Sequence, residues 1–207
     1  MKRVLIVVAH PDDEVLGCGG LMAKYIAKGV DFKVLFIGEG SSCRFASPDS
    51  IESRREIEIR NSYAVKALGV LGVNNYKFLN FPCGRFDQVP ILEINKHIEA
   101  EIDVYKPDSL FTHSHLDTNN DHKIVFSSVM MATRPIVRSC VQQVFSFEIL
   151  SSSEWNFIQP FAPNTFVSLS SDEIKMKWKA LAEYQSEVQP FPFPRSEEGI
   201  LTLARYR

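Results

Sequence analysis

The sequence lacks an excess of basic charge. Its 207 residues contain 23 Lys and Arg against 25 Asp and Glu, which gives a net charge of −2, and no basic tail or stripe departs from this balance. Proteins that bind nucleic acid usually present such a patch to the phosphates. We therefore expect no nucleic acid partner.

The sequence also lacks a long apolar run. The N-terminal apolar segment, residues 2–9, ends at His10, whereas a helix that spans a membrane needs about 20 apolar residues. No cleavage site of small residues follows it, as would be expected after a secretory leader. The sequence predicts no membrane span and a cytoplasmic location.

Cysteine is sparse and scattered. The four cysteines are Cys18, Cys43, Cys83 and Cys140, and no two of them have C-x-x-C spacing. This arrangement predicts neither a zinc ribbon nor a redox pair. In a reducing compartment we expect each cysteine to be a small apolar residue of the core.

Alternating strand and helix patterns predict an α/β fold. Hydrophobic residues make up 45% of the chain, a globular value, and the length suits one domain over residues 1–207. The order favours a three-layer, Rossmann-like, mostly parallel sheet. The predicted strands are 2–9, 31–37, 76–81, 109–113, 141–150 and 165–169, and the predicted helices are 21–28, 51–68, 91–105, 123–133 and 172–187.

One histidine and three carboxylates follow the first predicted strand, as His10-Pro-Asp-Asp-Glu14. Pro11 ends the strand, so this group lies at the carboxyl edge of the sheet, where open α/β sheets bind their ligands. Adjacent carboxylates repel each other, and a divalent cation relieves that repulsion. As a turn with a helix cap, the motif would be unremarkable by itself.

A second polar cluster follows the fourth predicted strand. It contains His113, His115, Asp117, Asp121 and His122. Catalytic zinc takes three ligands from His, Asp or Glu and keeps a position for water. His10 and Asp13 can reach one ion, His122 can supply the third ligand, and Asp12 can accept the proton of the water. The two clusters together predict a metal-dependent hydrolase.

These residues resemble the PIG-L/LmbE-like N-acetylglucosaminyl deacetylases. The resemblance rests on Ala9 to Glu14 with Gly17 and Gly20, on Asp117-Thr-Asn-Asn-Asp121-His122, and on Pro107-Asp108. It implies a Rossmann-like fold, one Zn²⁺ per chain held by His10, Asp13 and His122, and an N-acetylated sugar as substrate. It also implies that Asp12 is the base, that Asp121 lies behind the ligands or relays protons, and that Glu14 satisfies backbone donors in the loop.

The chain departs from the family pattern at Asn119, where well-studied members have a histidine. An amide can donate to an oxyanion but cannot deliver a proton. Either His113, His115 or protonated Asp12 takes the acid role, or this branch of the family works differently. The abrupt C-terminus further predicts that a terminal segment of the family is missing.

Substrate contacts are expected from the loop 38–50 and the helix after it. Arg44 is the first candidate, followed by Arg54 and Arg55, although a charged helix face is usually only solvated; the same holds for Arg60. Asp117 of the second cluster is also predicted to contact substrate.

Several alternatives stay open at this point. The same metal site could hydrolyse another N-acyl group, or the chain could be a catalytically weak relative that binds sugars. A nucleotide-binding module is disfavoured because Gly17-Cys-Gly-Gly20 lacks G-x-G-x-x-G spacing and because acidic residues repel a pyrophosphate. Divalent ions other than zinc suit the same ligands, and a homo-oligomer is neither predicted nor excluded.

Overall fold

The computed structural model describes residues 1–135 and 141–207. It contains a five-stranded parallel sheet in the order β3-β2-β1-β4-β5. The strands are β1 (Arg3–Val8), β2 (Asp31–Gly38), β3 (Asn75–Phe81), β4 (Ser109–His113) and β5 (Gln143–Phe147). The helices are α1 (Asp13–Ile26), α2 (Ile51–Leu71), α3 (Ile91–Tyr105), α4 (Asn120–Ala132), α5 (Ser171–Ala182) and α6 (Glu197–Tyr206).

Strand β1 lies at the centre of the sheet and is buried on both faces. Val4, Ile6 and Val8 belong to the core that α1, α2 and α5 cover, whereas Leu5 and Val7 belong to the core beneath α3 and α4. Both faces are apolar because helices cover both sides of a parallel sheet. The predicted three-layer α/β fold is confirmed.

The chain reverses its direction across the sheet between β1 and β4. Strands β2 and β3 extend to one side of β1, and β4 and β5 extend to the other. A crevice at such a switch point, beyond the carboxyl ends of the strands, is the usual ligand site of doubly wound sheets. The carboxyl ends of β1 and β4 therefore define where the site lies.

Three predicted elements are not formed or differ from the structure by more than three residues at one end. The first helix begins at Asp13 instead of residue 21, because Gly17 and Gly20 are helical and allow close packing: a Cβ on Gly17 would lie 2.4 Å from Phe147. The predicted strand 165–169 is not formed, and its residues follow an irregular path beside the sheet. The helix predicted over 172–187 ends at Ala182.

No helix in residues 1–135 and 141–207 combines the length and apolar character that crossing a membrane requires. Of the four cysteines, Cys18 is buried in the core as predicted. Cys140 lies outside the described residues.

Candidate metal centre

The two sequence clusters meet at the carboxyl ends of β1 and β4. His10 follows β1, and Asp13 opens α1 immediately after it. His122 lies in the first turn of α4, the helix that follows β4. Because β1 and β4 pair in parallel, the loops after them emerge at the same edge of the sheet.

Three side chains converge at this edge. Asp13 Oδ2 lies 3.6 Å from His10 Nδ1 and 3.3 Å from His122 Nε2. One ligand atom from each of these residues lies within 4.8 Å of the others, and all three side chains are buried. The structure therefore brings together the three residues that the sequence predicted as metal ligands.

A carboxylate holds each imidazole from behind. His10 Nε2 donates to Asp121 Oδ2 at 2.9 Å, and His122 Nδ1 lies 3.2 Å from Asp117 Oδ1. Asp121 also accepts the backbone N–H of Gly84 at 2.6 Å. Carboxylates in this position orient metal-binding histidines and fix their tautomers. Here they leave His10 Nδ1 and His122 Nε2 facing Asp13.

The position of Asp117 does not favour the predicted substrate contact. Its side chain is fully buried. It accepts from Ser152 Oγ at 2.5 Å, from Ser153 Oγ at 2.7 Å and from the backbone N–H of Asn119 at 2.8 Å. With these donors and His122 around it, Asp117 is a buried anchor of an imidazole and has no free oxygen to offer a sugar.

The cluster separates charge strongly between Asp13 and the imidazoles. Burial alone would raise the pKa of Asp13, but His122 and His113 hold it well below its usual range. Burial would lower the pKa of His122, but Asp13 and Asp117 raise it to about 10. Without a cation, His122 therefore carries a proton at neutral pH, and a metal ion would have to displace that proton.

Asp12 adopts a backbone conformation that L-residues rarely use, with φ 116° and ψ −29°. Its N–H donates to Glu14 Oε2 at 2.9 Å, which is the kind of contact predicted for Glu14. Arg195 and Arg60 lie 2.6 and 3.2 Å from its Oδ2, and Arg60 Nε also donates to the carbonyl of Pro11. Such contacts over-determine a strained residue and keep it in place.

Burial also sets the protonation of these neighbouring acids. It raises the pKa of Asp12 even though Arg60 and Arg195 oppose the shift. It raises the pKa of Glu14 to about 8, against the hydrogen bonds that this carboxyl accepts from Tyr184 and Asp12. Burial therefore disfavours the charged form of Glu14.

Sequence reasoning missed Arg195 and Glu187. Glu187 accepts from Arg60 Nη1 at 2.8 Å and lies 3.7 Å from Arg195 Nη1, so it links the two arginines around Asp12. It also accepts from Arg44 Nη2 at 2.8 and 3.0 Å. Arg195 is 183 positions from Asp12 in the chain. The sequence offered one indication of a role for Arg195: it is the first charged residue after the proline-rich stretch 188–194.

The arginines predicted to bind substrate lie at different depths. Arg44 is half exposed and pairs with Glu187, whereas Arg54 and Arg55 are exposed on the first turns of α2. Arg60 is buried against Asp12. A substrate contact by Arg44, Arg54 or Arg55 stays a prediction.

The two histidines proposed as acids do not suit that role. His113 is fully buried, its Nε2 accepts the N–H of Ala9 at 2.8 Å, and burial lowers its pKa well below the usual value. It stacks on the His122 ring at 3.9 Å between centroids. His115 is exposed, and its ring contact is with Phe126. The geometry thus disfavours His113 as the acid and keeps His115 outside the ligand cluster.

Asn119 caps α4. Its side-chain oxygen accepts the N–H of Asp121 at 2.9 Å, so its Nδ2 remains as a donor. This geometry leaves Asn119 able to stabilise an oxyanion but, as an amide, unable to protonate a leaving group.

A cavity of about 710 Å³ lies away from this cluster, between α1, β5, α6 and the irregular segment 161–169. None of its lining residues is a candidate metal ligand or one of the carboxylates behind the imidazoles. The chemistry of the cluster therefore does not depend on this cavity.

The donor set suits a divalent cation. Two imidazole nitrogens and one carboxylate oxygen are the ligands of catalytic zinc sites with an open position. Each imidazole already has the carboxylate partner that such ligands require, and Asp12 stands next to Asp13 in the chain with its carboxylate held separately.

Comparison with known proteins identifies relatives. The family model described as PIG-L, GlcNAc-PI de-N-acetylase, matches residues 5–133. The uncharacterized deacetylase YaiS of Escherichia coli K12 is 30% identical over 192 residues, which are 89% of this chain and 91% of that protein. The diacetylchitobiose deacetylase of Thermococcus kodakarensis is 25% identical, and the match covers 100% of this chain and 78% of that protein.

A solved structure shares the fold. The N,N'-diacetylchitobiose deacetylase of Pyrococcus horikoshii superposes with a TM-score of 0.75 at 20% identity, over 99% of this chain and 78% of that chain. At this identity, the likeness concerns the fold alone.

Proposed function

The chain belongs to the PIG-L family, and from this membership and the geometry of its site we propose that it hydrolyses the N-acetyl group of an amino sugar or sugar conjugate. The observation that carries the proposal is the convergence of His10, Asp13 and His122 within 4.8 Å beside the separately held carboxylate of Asp12. The related deacetylase of Thermococcus kodakarensis is named for diacetylchitobiose, which supports a sugar amide as the substrate class.

The proposed ligands are His10 Nδ1, Asp13 Oδ2 and His122 Nε2, with zinc as the ion. When bound, a divalent cation supplies a Lewis acid for the acetyl carbonyl and lowers the pKa of water. Asp121 and Asp117 hold the two imidazoles in the orientation that binding requires. All of these roles are proposals.

Asp12 is the proposed proton acceptor. Arg60 and Arg195 both contact its Oδ2, which leaves Oδ1 as the oxygen that takes the proton from water. Arginine does not titrate in this range, so the two guanidinium groups hold the carboxyl group in place before and after proton transfer. Protonated Asp12 then delivers this proton to the leaving amine, since neither Asn119 nor His113 can do so.

Asn119 is proposed to stabilise the oxyanion through Nδ2, since its Oδ1 is used by the helix cap. Loss of one such donor costs about 10²–10³ in kcat in well-measured enzymes. The cytoplasmic location stays a prediction.

The test measures acetate release from N-acetylglucosamine conjugates by the zinc-loaded protein, with longer N-acyl analogues beside them. The expected result is turnover of the acetyl substrates and a loss of about 10²–10⁴ in kcat for Asp12→Asn at unchanged metal content. Asp172→Asn is the matched control, because Asp172 is exposed on α5 and makes only a 3.7 Å surface pair.

Other results would contradict the proposal in distinct ways. Faster release of longer acyl groups would favour a different amide hydrolase on the same site. Full activity of Asp12→Asn would overturn the role of Asp12. Zinc binding and sugar binding without release of any acyl group would favour a sugar-binding relative.

A further inference from the structure

Two cysteines that are distant in the sequence lie in contact beside the metal centre. Cys43 lies in the short turn Ser42–Arg44 after β2, and Cys83 lies in the turn after β3. Their Sγ atoms are 3.1 Å apart, and both thiols are free. The absence of C-x-x-C spacing predicts no redox pair. Spacing along the chain does not reveal thiols that two separate loops bring into contact.

The close approach is built into both loops. The carboxylate of Glu39 accepts the N–H of Ser41 at 2.6 Å, of Ser42 at 2.9 Å and of Cys83 at 2.7 Å. One buried carboxylate thus holds the two segments that supply the thiols. Gly84 has φ +72°, and a Cβ there would lie 3.3 Å from the Cβ of Cys43. The contact between the loops therefore requires a glycine at this position.

The two thiols differ in access and in acidity. Cys43 is exposed and Cys83 is buried. The hydrogen bond from Cys83 lowers the pKa of Cys43 to about 6, while the same contact raises the pKa of Cys83. A thiol that solvent can reach, in contact with a second thiol, is the arrangement of reactive cysteine pairs.

We propose that Cys43 and Cys83 form a dithiol site that low-molecular-weight disulfides oxidise to an intramolecular disulfide. The Cys43 thiolate attacks one sulfur of the disulfide, which forms a mixed disulfide and releases one thiolate. Cys83, after loss of its proton to solvent, attacks the Cys43 sulfur, which forms the Cys43–Cys83 bond and releases the second thiolate. The two cysteines are oxidised by two electrons, and the external disulfide is reduced to two thiols.

The new bond would act on the metal centre. Cys83 Sγ lies within 4.8 Å of a ring nitrogen of His10 and of a carboxylate oxygen of Asp121. The next residue, Gly84, donates its N–H to Asp121, which orients His10. Joining the two sulfurs ties the turn that carries Gly84 to the turn that carries Cys43, so oxidation constrains the N–H that Asp121 accepts. We expect about a tenfold lower kcat/KM after oxidation, an expectation that rests on the proposed deacetylase function.

The experiment incubates the zinc-loaded protein with oxidised glutathione, alkylates the remaining thiols and measures intact mass and cross-linked peptides. The variant Cys18→Ser with Cys140→Ser keeps only the proposed pair. We expect this variant to lose both alkylatable thiols without retaining glutathione, to gain roughly 5–10 °C in Tm, and to return to its starting state with dithiothreitol. Cys83→Ser should stop at a glutathione adduct on Cys43, and Cys43→Ser should stay unmodified at the buried Cys83.

Retention of both thiols, or a stable glutathione adduct on Cys43 when Cys83 is present, would overturn the dithiol proposal. Disulfide formation with unchanged acetate release would overturn its link to the metal centre. Disulfide formation in a protein that releases no acetate in either state would support the dithiol and count against the proposed function, so the two failures are distinguishable.

Discussion

Asp117→Asn tests whether the carboxylate behind His122 controls metal affinity. The substitution keeps the size of the side chain and removes its charge. With its oxygen at the Oδ1 position, the amide can still accept the N–H of Asn119 and the hydroxyl of Ser152, and the hydroxyl of Ser153 can rotate to accept from the new NH₂ group. We therefore expect the variant to fold.

The magnitude follows from the position of Asp117 behind a ligand. Its Oδ1 lies 3.2 Å from His122 Nδ1, on the side of the ring opposite to Asp13. Loss of such an outer partner usually lowers metal affinity by 10- to 100-fold, which corresponds to about 1.4–2.7 kcal/mol of binding free energy. The expected effect is a weaker zinc Kd with little change in KM once the metal is saturating.

The assay is competition for zinc against a chromogenic chelator at neutral pH, followed by steady-state kinetics at saturating zinc. Ser152→Ala is the matched control, because it removes one hydrogen bond to Asp117 and keeps the charge. A hydrogen bond to a charged carboxylate contributes about 1.5–3 kcal/mol to stability, but this variant keeps the charge that faces His122, so its zinc affinity should fall less than that of Asp117→Asn. An unchanged zinc Kd together with a raised KM would refute the reasoning and restore Asp117 as a substrate contact.

Two further predictions concern stability. In the metal-free protein, the pKa of His122 is raised to about 10 from 6.5. Its contribution to stability should therefore be complete below pH 6.5 and lost as the pH rises through about 10. The Tm measured across this range should fall, and His122→Asn should make that fall smaller. Gly199→Ala should destabilise the fold by about 1–3 kcal/mol in urea unfolding, because its Cβ would lie 2.1 Å from the carbonyl oxygen of Pro194. Gly69→Ala is the control: it meets nothing within 4 Å and should be neutral or stabilising, and equal effects of the two substitutions would contradict the packing argument.

The sheet and the convergence of His10, Asp13 and His122 could be predicted because their signals are local. The run from Val4 to Val8 is apolar throughout, so it predicts a strand buried on both faces, and Pro11 marks where the strand ends. Parallel strands put their carboxyl ends at one edge, which places His10 near the loop that follows β4. The prediction that distant ligands meet therefore needed only the strand order.

The environment of Asp12 could not be predicted in the same way. Arg195 follows an extended, proline-rich segment that is distant from Asp12 in the sequence. Only tertiary packing brings Arg195 and Asp12 into contact. The start of α1 was missed because three glycines between residues 17 and 20 weaken helix propensity, although Phe147 and Leu169 require glycine at two of them. At this helix, tertiary packing outweighs the low helix propensity of glycine. In residues 165–169, the local strand pattern likewise does not decide the structure.

Asp12 and Asp13 are adjacent carboxylates with different surroundings, and this difference assigns their proposed roles. The backbone of Asp12 has a positive φ, and the two adjacent carboxylates have separate partners. The carboxylate of Asp12 contacts Arg60 and Arg195, whereas the carboxylate of Asp13 contacts the imidazoles. The pKa of Asp12 is raised and that of Asp13 is held well below its usual range. A carboxylate with a low pKa stays ionised and suits a cation, whereas one with a raised pKa can take up and return a proton. A backbone strain of about 1–3 kcal/mol at Asp12 is therefore consistent with one loop that supplies both a ligand and a base.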